Sequence, residues 1–374
     1  MRSVPVRLWS PGRSVLVAAV LALACRGPSP ETPKASCTRV QSVREVYGTS
    51  LCEDVWTCGR PPGGPFDRVG LRRLAPCEDA TGPVLLYLPG MHMNAGLGVV
   101  EPRHDLRVYL AAEGIRTWGL DYRTHAVPDD ASPDDLDVLD RWTWKVFEDD
   151  AAWAMAFVRG VDPGPLHVAG FSYGAGLAYR LASRPDARLA SLLILDGVRS
   201  EEGGKSEPTA IDVGGRRLPF DARQRLLTAV LADPGGPSPL PGGGTAGATL
   251  AEILYSAPRF GGQGGLANTR QGLSDLRVLA ALLLGFDRWW PGAALDAPSA
   301  EPPARAIPVL SFASTQLGRP WVEQVRKSAA AYGRSGAVVR VLQGYGHLDV
   351  LVARRAPRDV YAPSLAWVEG RMTP

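Results

Sequence analysis

The chain has 374 residues, 45% of them hydrophobic and 21% charged, which suits a globular protein with a sizeable core and excludes a disordered or fibrous one. Its formal charge of +3 comes from the N-terminus, because residues 1–24 hold Arg2, Arg7 and Arg13 and no acid. Without them, basic and acidic residues balance, so the net basic field that nucleic-acid binding needs is absent.

In chain order, those arginines precede an apolar run, 15–24, too short to span a bilayer and suited to a signal h-region. It ends Ala22-Leu23-Ala24-Cys25. Ala22-x-Ala24 is a small-residue site for ordinary signal cleavage. The same stretch resembles the lipobox of bacterial lipoproteins, and that resemblance implies lipid attachment at Cys25. We expect a signal peptide over 1–24 and a Pro/Ser-rich tether over 25–36. The protein would then be exported, held as a lipoprotein in the periplasm or at the cell surface, or secreted if cleaved without lipidation. The membrane enters only through that anchor. Cys37, Cys52, Cys58 and Cys77 follow in a segment, 37–82, expected to hold early strands. An even number of cysteines in an exported chain points to two disulfides, with three pairings open. Zinc is the competing reading, but the Cys52-x5-Cys58 spacing is wider than usual and no histidine lies near.

Beyond residue 83, strand and helix signals alternate. Val84–Leu88 is a short apolar run ending at Pro89-Gly90. Residues 105–113 look helical, 115–121 alternate as a strand, and 140–160 carry apolar residues at helical spacing. A strand at 166–170, a helix at 174–183 and a strand at 189–195 come next. Such alternation predicts an α/β architecture, a mostly parallel doubly wound sheet with helices on both faces. Between 197 and 306 the pattern breaks into Gly/Pro-rich stretches around helical segments near 221–232, 249–257 and 273–287. We read 199–306 as a helical cap inserted into a core of 83–198 and 307–374. The core resumes with a strand at 308–313, a helix at 321–332, the strand Ala337–Leu342 and a last helix at 359–370.

The chemistry centres on Gly170-Phe171-Ser172-Tyr173-Gly174. This G-x-S-x-G lies between a strand and a helix, where a sharp turn exposes the serine and side chains in place of Gly170 and Gly174 would collide with their neighbours. A serine hydroxyl needs a base, and the base needs an orienting group. Of the five histidines, His167 lies inside a strand as a core residue would. His347 follows the last sheet strand through Gly344-Tyr345-Gly346, at the edge where doubly wound sheets place their sites.

From Val84 onward the chain resembles the α/β-hydrolase superfamily, with the elbow at 170–174 and the chain order Ser, acid, His. Its ending, Gly346-His347-Leu348-Asp349-Val350-Leu351, is similar to the His loop of acid lipases. The resemblance implies an acid after the strand at 307–315, but Ser314-Thr315-Gln316-Leu317-Gly318-Arg319 holds no carboxylate. Pancreatic-type lipases place the acid one strand earlier, which here selects Asp196; Asp121 is the alternative. The resemblance also implies oxyanion donors at the backbone N–H groups of Tyr173 and Met91. His92, Trp289 and Trp290 are candidates for substrate contact, and the apolar stretch around Leu279, Leu282, Leu283 and Phe286 either lids the site or packs the insertion. The expected activity is that of a serine carboxylester hydrolase acting on a small ester with an apolar acyl or aromatic group, without metal or organic cofactor. The other readings are a catalytically silent binding module of this fold and an amidase or peptidase using the same residues.

Overall fold

The computed structural model describes residues 37–78, 81–98, 102–199, 210–214, 218–256 and 273–372. The expected signal segment 1–24, the lipid-attachment candidate Cys25 and the tether 25–36 lie outside the described residues. Among the described residues, no helix is long and apolar enough to cross a membrane.

A nine-stranded sheet organises the chain. Its strands are β1 (Cys37–Val46), β2 (Leu51–Gly59), β3 (Arg68–Pro76), β4 (Val84–Leu88), β5 (Arg116–Asp121), β6 (Leu166–Phe171), β7 (Ser191–Leu195), β10 (Val309–Ser314) and β11 (Ala337–Leu342). They lie in the order β1-β2-β3-β5-β4-β6-β7-β10-β11. The first three pair antiparallel, and β3 joins β5 antiparallel. From β5 to β11 every pairing is parallel. β8 (Ala210–Asp212) and β9 (Trp289–Pro291) form a separate two-stranded ribbon.

Every residue of β4, β6, β7 and β10 is buried. Helices therefore cover both faces, which is why these strands read as unbroken apolar runs. One face packs α2 (Trp144–Val161) and α3 (Tyr173–Ser183), with Val168, Leu192 and Ile194 against Phe147, Val158 and Leu181. On the other face lie α1 (Leu106–Ala112) and the helices that follow β7, namely α4 (Phe220–Ala232), α5 (Ala246–Ser256) and α6 (Leu276–Leu284). Leu279, Leu282 and Leu283 of α6 join a core cluster with Phe171, Tyr345 and Leu348. Each such leucine contributes about 1.5–3 kcal/mol of burial. Toward the C-terminus lie α7 (Arg319–Gly333), α8 (Asp349–Val352) and α9 (Ala362–Val368).

The disulfides join Cys37 to Cys58 and Cys52 to Cys77, which selects one of the three pairings. They staple β1 to β2, and β2 to the end of β3. Paired cysteines of this kind belong to an oxidising compartment.

Two expected elements differ. The helix expected over 273–287 stops at Leu284, because the Gly285 N–H caps it by donating to the carbonyls of Ala281 and Leu282. The chain then turns, and Trp289 and Trp290 lie in a strand. The final helix begins earlier than expected, with a wide turn at Pro357–Tyr361 leading into α9.

Candidate active site

Four neighbouring strands deliver the site from their C-terminal ends. Ser172 directly follows β6, Asp196 directly follows β7, β10 ends at Ser314, and β11 leads through a short loop to His347. On the other side of β6, β4 ends at the loop carrying Met91.

Ser172 sits at φ 52° and ψ −118°, a strained conformation for a residue with a Cβ, between the end of β6 and the start of α3. Its surroundings explain the flanking glycines. A Cβ on Gly170 would lie 2.3 Å from the Gly174 carbonyl oxygen, and one on Gly174 would lie 2.1 Å from that of Leu88. The Ser172 N–H donates to the Leu195 carbonyl (3.2 Å), which ties the elbow to the strand that ends in Asp196. Tyr173 opens α3, and the first N–H groups of a helix have no intrahelical acceptor. Met91 follows Gly90 in a reverse turn closed by the Met93 N–H on the Gly90 carbonyl (3.1 Å), a bond that leaves the Met91 N–H outside it.

His347 is buried, 8% exposed, and its Nδ1–H donates to Asp196 Oδ2 (2.7 Å). That bond fixes the tautomer and leaves Nε2 with its lone pair. The imidazole stacks on Phe171, the residue before the serine, with ring centroids 4.7 Å apart, and meets the edge of Trp321 at 6.2 Å. Asp196 is fully enclosed. Besides His347 it accepts from the Ser314 N–H (2.7 Å), the Ser314 hydroxyl (2.6 Å) and the Trp321 indole N–H (2.9 Å). Ser314 thus stands at the strand end where the family resemblance implied an acid, and donates to a carboxylate supplied by the neighbouring strand. Trp321 and Ser314 were not anticipated as partners of Asp196. The vacant acid position at the end of β10 was the available signal for Ser314.

Asp121 is committed elsewhere. It accepts from the Arg72 guanidinium (2.8 Å) and the Ala95 N–H (2.7 Å). Asp349, beside His347 in sequence, accepts from the Gly346 N–H (2.7 Å) and from Ser274. His167 is a core histidine bonded to the Ser191 hydroxyl (2.7 Å), and burial lowers its pKa to about 4.

His92, Trp289 and Trp290 were the candidates for substrate contact. His92 is 4% exposed, and its Nδ1–H donates to the Asp287 carbonyl (2.9 Å). Trp290 has no exposed surface and is boxed by Tyr122, Phe147 and Tyr173, whose rings lie 5.0–5.7 Å away. Trp289 is half-buried, donating to the Pro128 carbonyl (3.2 Å) beneath Arg288. These residues anchor the segment after α6 onto the core.

No family model matches the chain, and no curated protein matches its sequence. The structure is similar to that of a candidate lipase from Sulfolobus solfataricus, with a TM-score of 0.76 and 21% identity over 91% of this chain and 100% of that one. More distant are a thermophilic esterase from Thermogutta terrifontis (TM-score 0.45, 18% identity, 83% of this chain and 95% of that one) and a hyperthermophilic esterase from the archaeon Pyrobaculum calidifontis (TM-score 0.46, 17% identity, 85% and 83%). Taken with the strand order and the strained serine turn, the first of these likenesses shows that this chain has the α/β-hydrolase fold.

Proposed function

We propose that the protein is a serine hydrolase that cleaves carboxylic esters. The observation that carries this reading is the buried His347–Asp196 bond at 2.7 Å, set beside a serine held at φ 52° on the turn between β6 and α3. Ser172 Oγ attacks the acyl carbon while its proton passes to His347 Nε2, and Asp196 stabilises the resulting imidazolium. The oxyanion is met by the N–H groups of Tyr173 and Met91. Collapse of the tetrahedral intermediate expels the alcohol, which takes the proton from His347 and leaves the acyl group on Ser172. Water then repeats the sequence and releases the acid.

The substrate in this reading is a small ester with an apolar acyl or aromatic group. Residues 199–306 act as the cap over it. Supporting this, the apolar face of α6 shares a cluster with Phe171 and Leu348, on the side chains flanking the serine and the histidine. Replacement of Ser172 by Ala should lower turnover of p-nitrophenyl esters by several powers of ten. Undiminished turnover in Ser172→Ala would remove the assignment.

A further inference from the structure

The turn that carries Met91 holds a residue in an unfavourable place. His92 is its third residue and has φ of 62°. Positive φ at that position of a turn is ordinarily met by Gly or Asn, because a Cβ is strained there. The neighbouring chain compensates. His92 Nδ1–H donates to the Asp287 carbonyl (2.9 Å), and the His92 carbonyl accepts the Asp287 N–H (2.7 Å). The two backbones are clipped together in both directions. Burial lowers the pKa of His92 to about 4, so the ring is neutral, and its carbonyl partner places the proton on Nδ1.

The clip is itself anchored. The Asp287 carboxylate accepts from His125 Nδ1–H (2.8 Å) and the Thr124 hydroxyl (2.9 Å), both on the loop after β5. Asn94, two residues beyond His92, donates to the Gly285 carbonyl (2.8 Å). Gly90, at the start of the turn, lies against the elbow: a Cβ there would meet the Phe171 ring at 3.0 Å. The turn is therefore held between the nucleophile on one side and the 285–287 segment on the other.

We infer that His92 is a positioning residue, and that its reciprocal bonds to Asp287 hold the turn in the one conformation that directs the Met91 N–H at the oxyanion. The inference rests on the serine-hydrolase reading. It gives the insertion a part in the chemistry, since the clip comes from the segment that leaves α6. A preorganised oxyanion donor is worth about 10²–10³ in kcat, and an unclipped turn loses part of that.

The test is a comparison of His92→Gly and His92→Asn in the full chain. Glycine accepts the positive φ without strain, so His92→Gly should fold while lacking the side-chain bond. Its kcat should fall about 10–100-fold, with KM within about threefold because ground-state binding is untouched. Inhibition by an alkyl trifluoromethyl ketone, which forms a tetrahedral adduct on the serine, should weaken in parallel with kcat/KM. Asparagine tolerates the same φ and carries an N–H donor where Nδ1 lies, so His92→Asn should recover most of the lost rate. Wild-type kcat and ketone inhibition in His92→Gly would overturn the inference, as would a His92→Asn no faster than His92→Gly. A wild-type protein that turns over no ester and takes up no fluorophosphonate would sink both readings together, a result distinct from an active wild type whose His92→Gly variant is equally active.

Discussion

Four donors converge on Asp196: the His347 imidazole, the Ser314 amide and hydroxyl, and the Trp321 indole. A group that only accepts suits that setting, and an enclosed carboxylate without such donors would be costly. Asp196→Asn replaces one acceptor with an amide that must turn an N–H toward another donor. The His347 tautomer is then no longer enforced, and kcat/KM on p-nitrophenyl esters should fall about 10³–10⁴-fold. Ser314→Ala removes one donor of four, so the loss should be several-fold in rate and about 1 kcal/mol in stability. Steady-state kinetics and urea melts of the two variants check this; equal losses would mean that Ser314 matters as much as the histidine contact. Asp196 was legible only through a resemblance, because an Asp-Gly pair after a strand is also ordinary turn chemistry. The vacant acid position only hinted at the partnership with Ser314, since that depends on β7 and β10 being neighbours although more than a hundred residues separate them in sequence.

At the scale of elements, the turn between β6 and α3 is set by close approach. A Cβ on Gly174 would lie 2.1 Å from the Leu88 oxygen and 2.5 Å from the Pro89 oxygen, both backbone atoms of the neighbouring strand end. No rotamer change relieves a clash with backbone. Gly174→Ala should therefore cost more than about 3 kcal/mol and displace the same strand end that leads to Met91. Thermal melts and fluorophosphonate labelling rates measure the two effects, and a variant with wild-type values in both would contradict the steric argument. Strands written as short apolar runs announced themselves in the sequence: β4, buried throughout, and the edge strand β11 were expected at the bounds they have. β1 did not, and the reason is its burial. Eight of its ten residues are exposed, so no apolar alternation marks it, and its backbone pairing with β2 and the bond between Cys37 and Cys58 hold it in place. The run around Trp289 and Trp290 misled in the other direction. Its apolar character reflects an aromatic box around Trp290, and Gly285 ends the helix before it begins.

For the molecule as a whole, alternation in the second half of the sheet was enough to foresee the parallel strands β4–β7, β10 and β11, while two covalent bonds pin the antiparallel β1–β3 region. The disulfides close loops of 21 and 25 residues, and in the chain-entropy account each stabilises by about 3 kcal/mol. Acid acts on the rest of the fold through its buried histidines. His92 and His167 both have pKa values lowered to about 4 by burial, against about 6.5 in an unfolded chain. Between those values the unfolded state binds the protons and the folded state does not. Their effect is therefore absent above about pH 6.5, and stability falls as pH drops toward 4, with a limiting slope of about 1.4 kcal/mol per pH unit for each group. His125 runs the opposite way, since its bond to Asp287 raises its pKa and adds stability that is lost as pH rises; its side chain is 42% exposed, so solvent screening keeps that contribution small. Carboxylates also titrate in this range, so the informative comparison is between wild type and His167→Asn. Asparagine keeps a partner for the Ser191 hydroxyl but takes up no proton. Urea midpoints measured at pH 7.5, 6, 5 and 4.5 should fall less steeply for the variant, and the two curves should converge toward acid even if the variant starts lower. Parallel curves would show that His167 takes up no proton on unfolding, and the acid sensitivity would then have to come from His92 and the carboxylates.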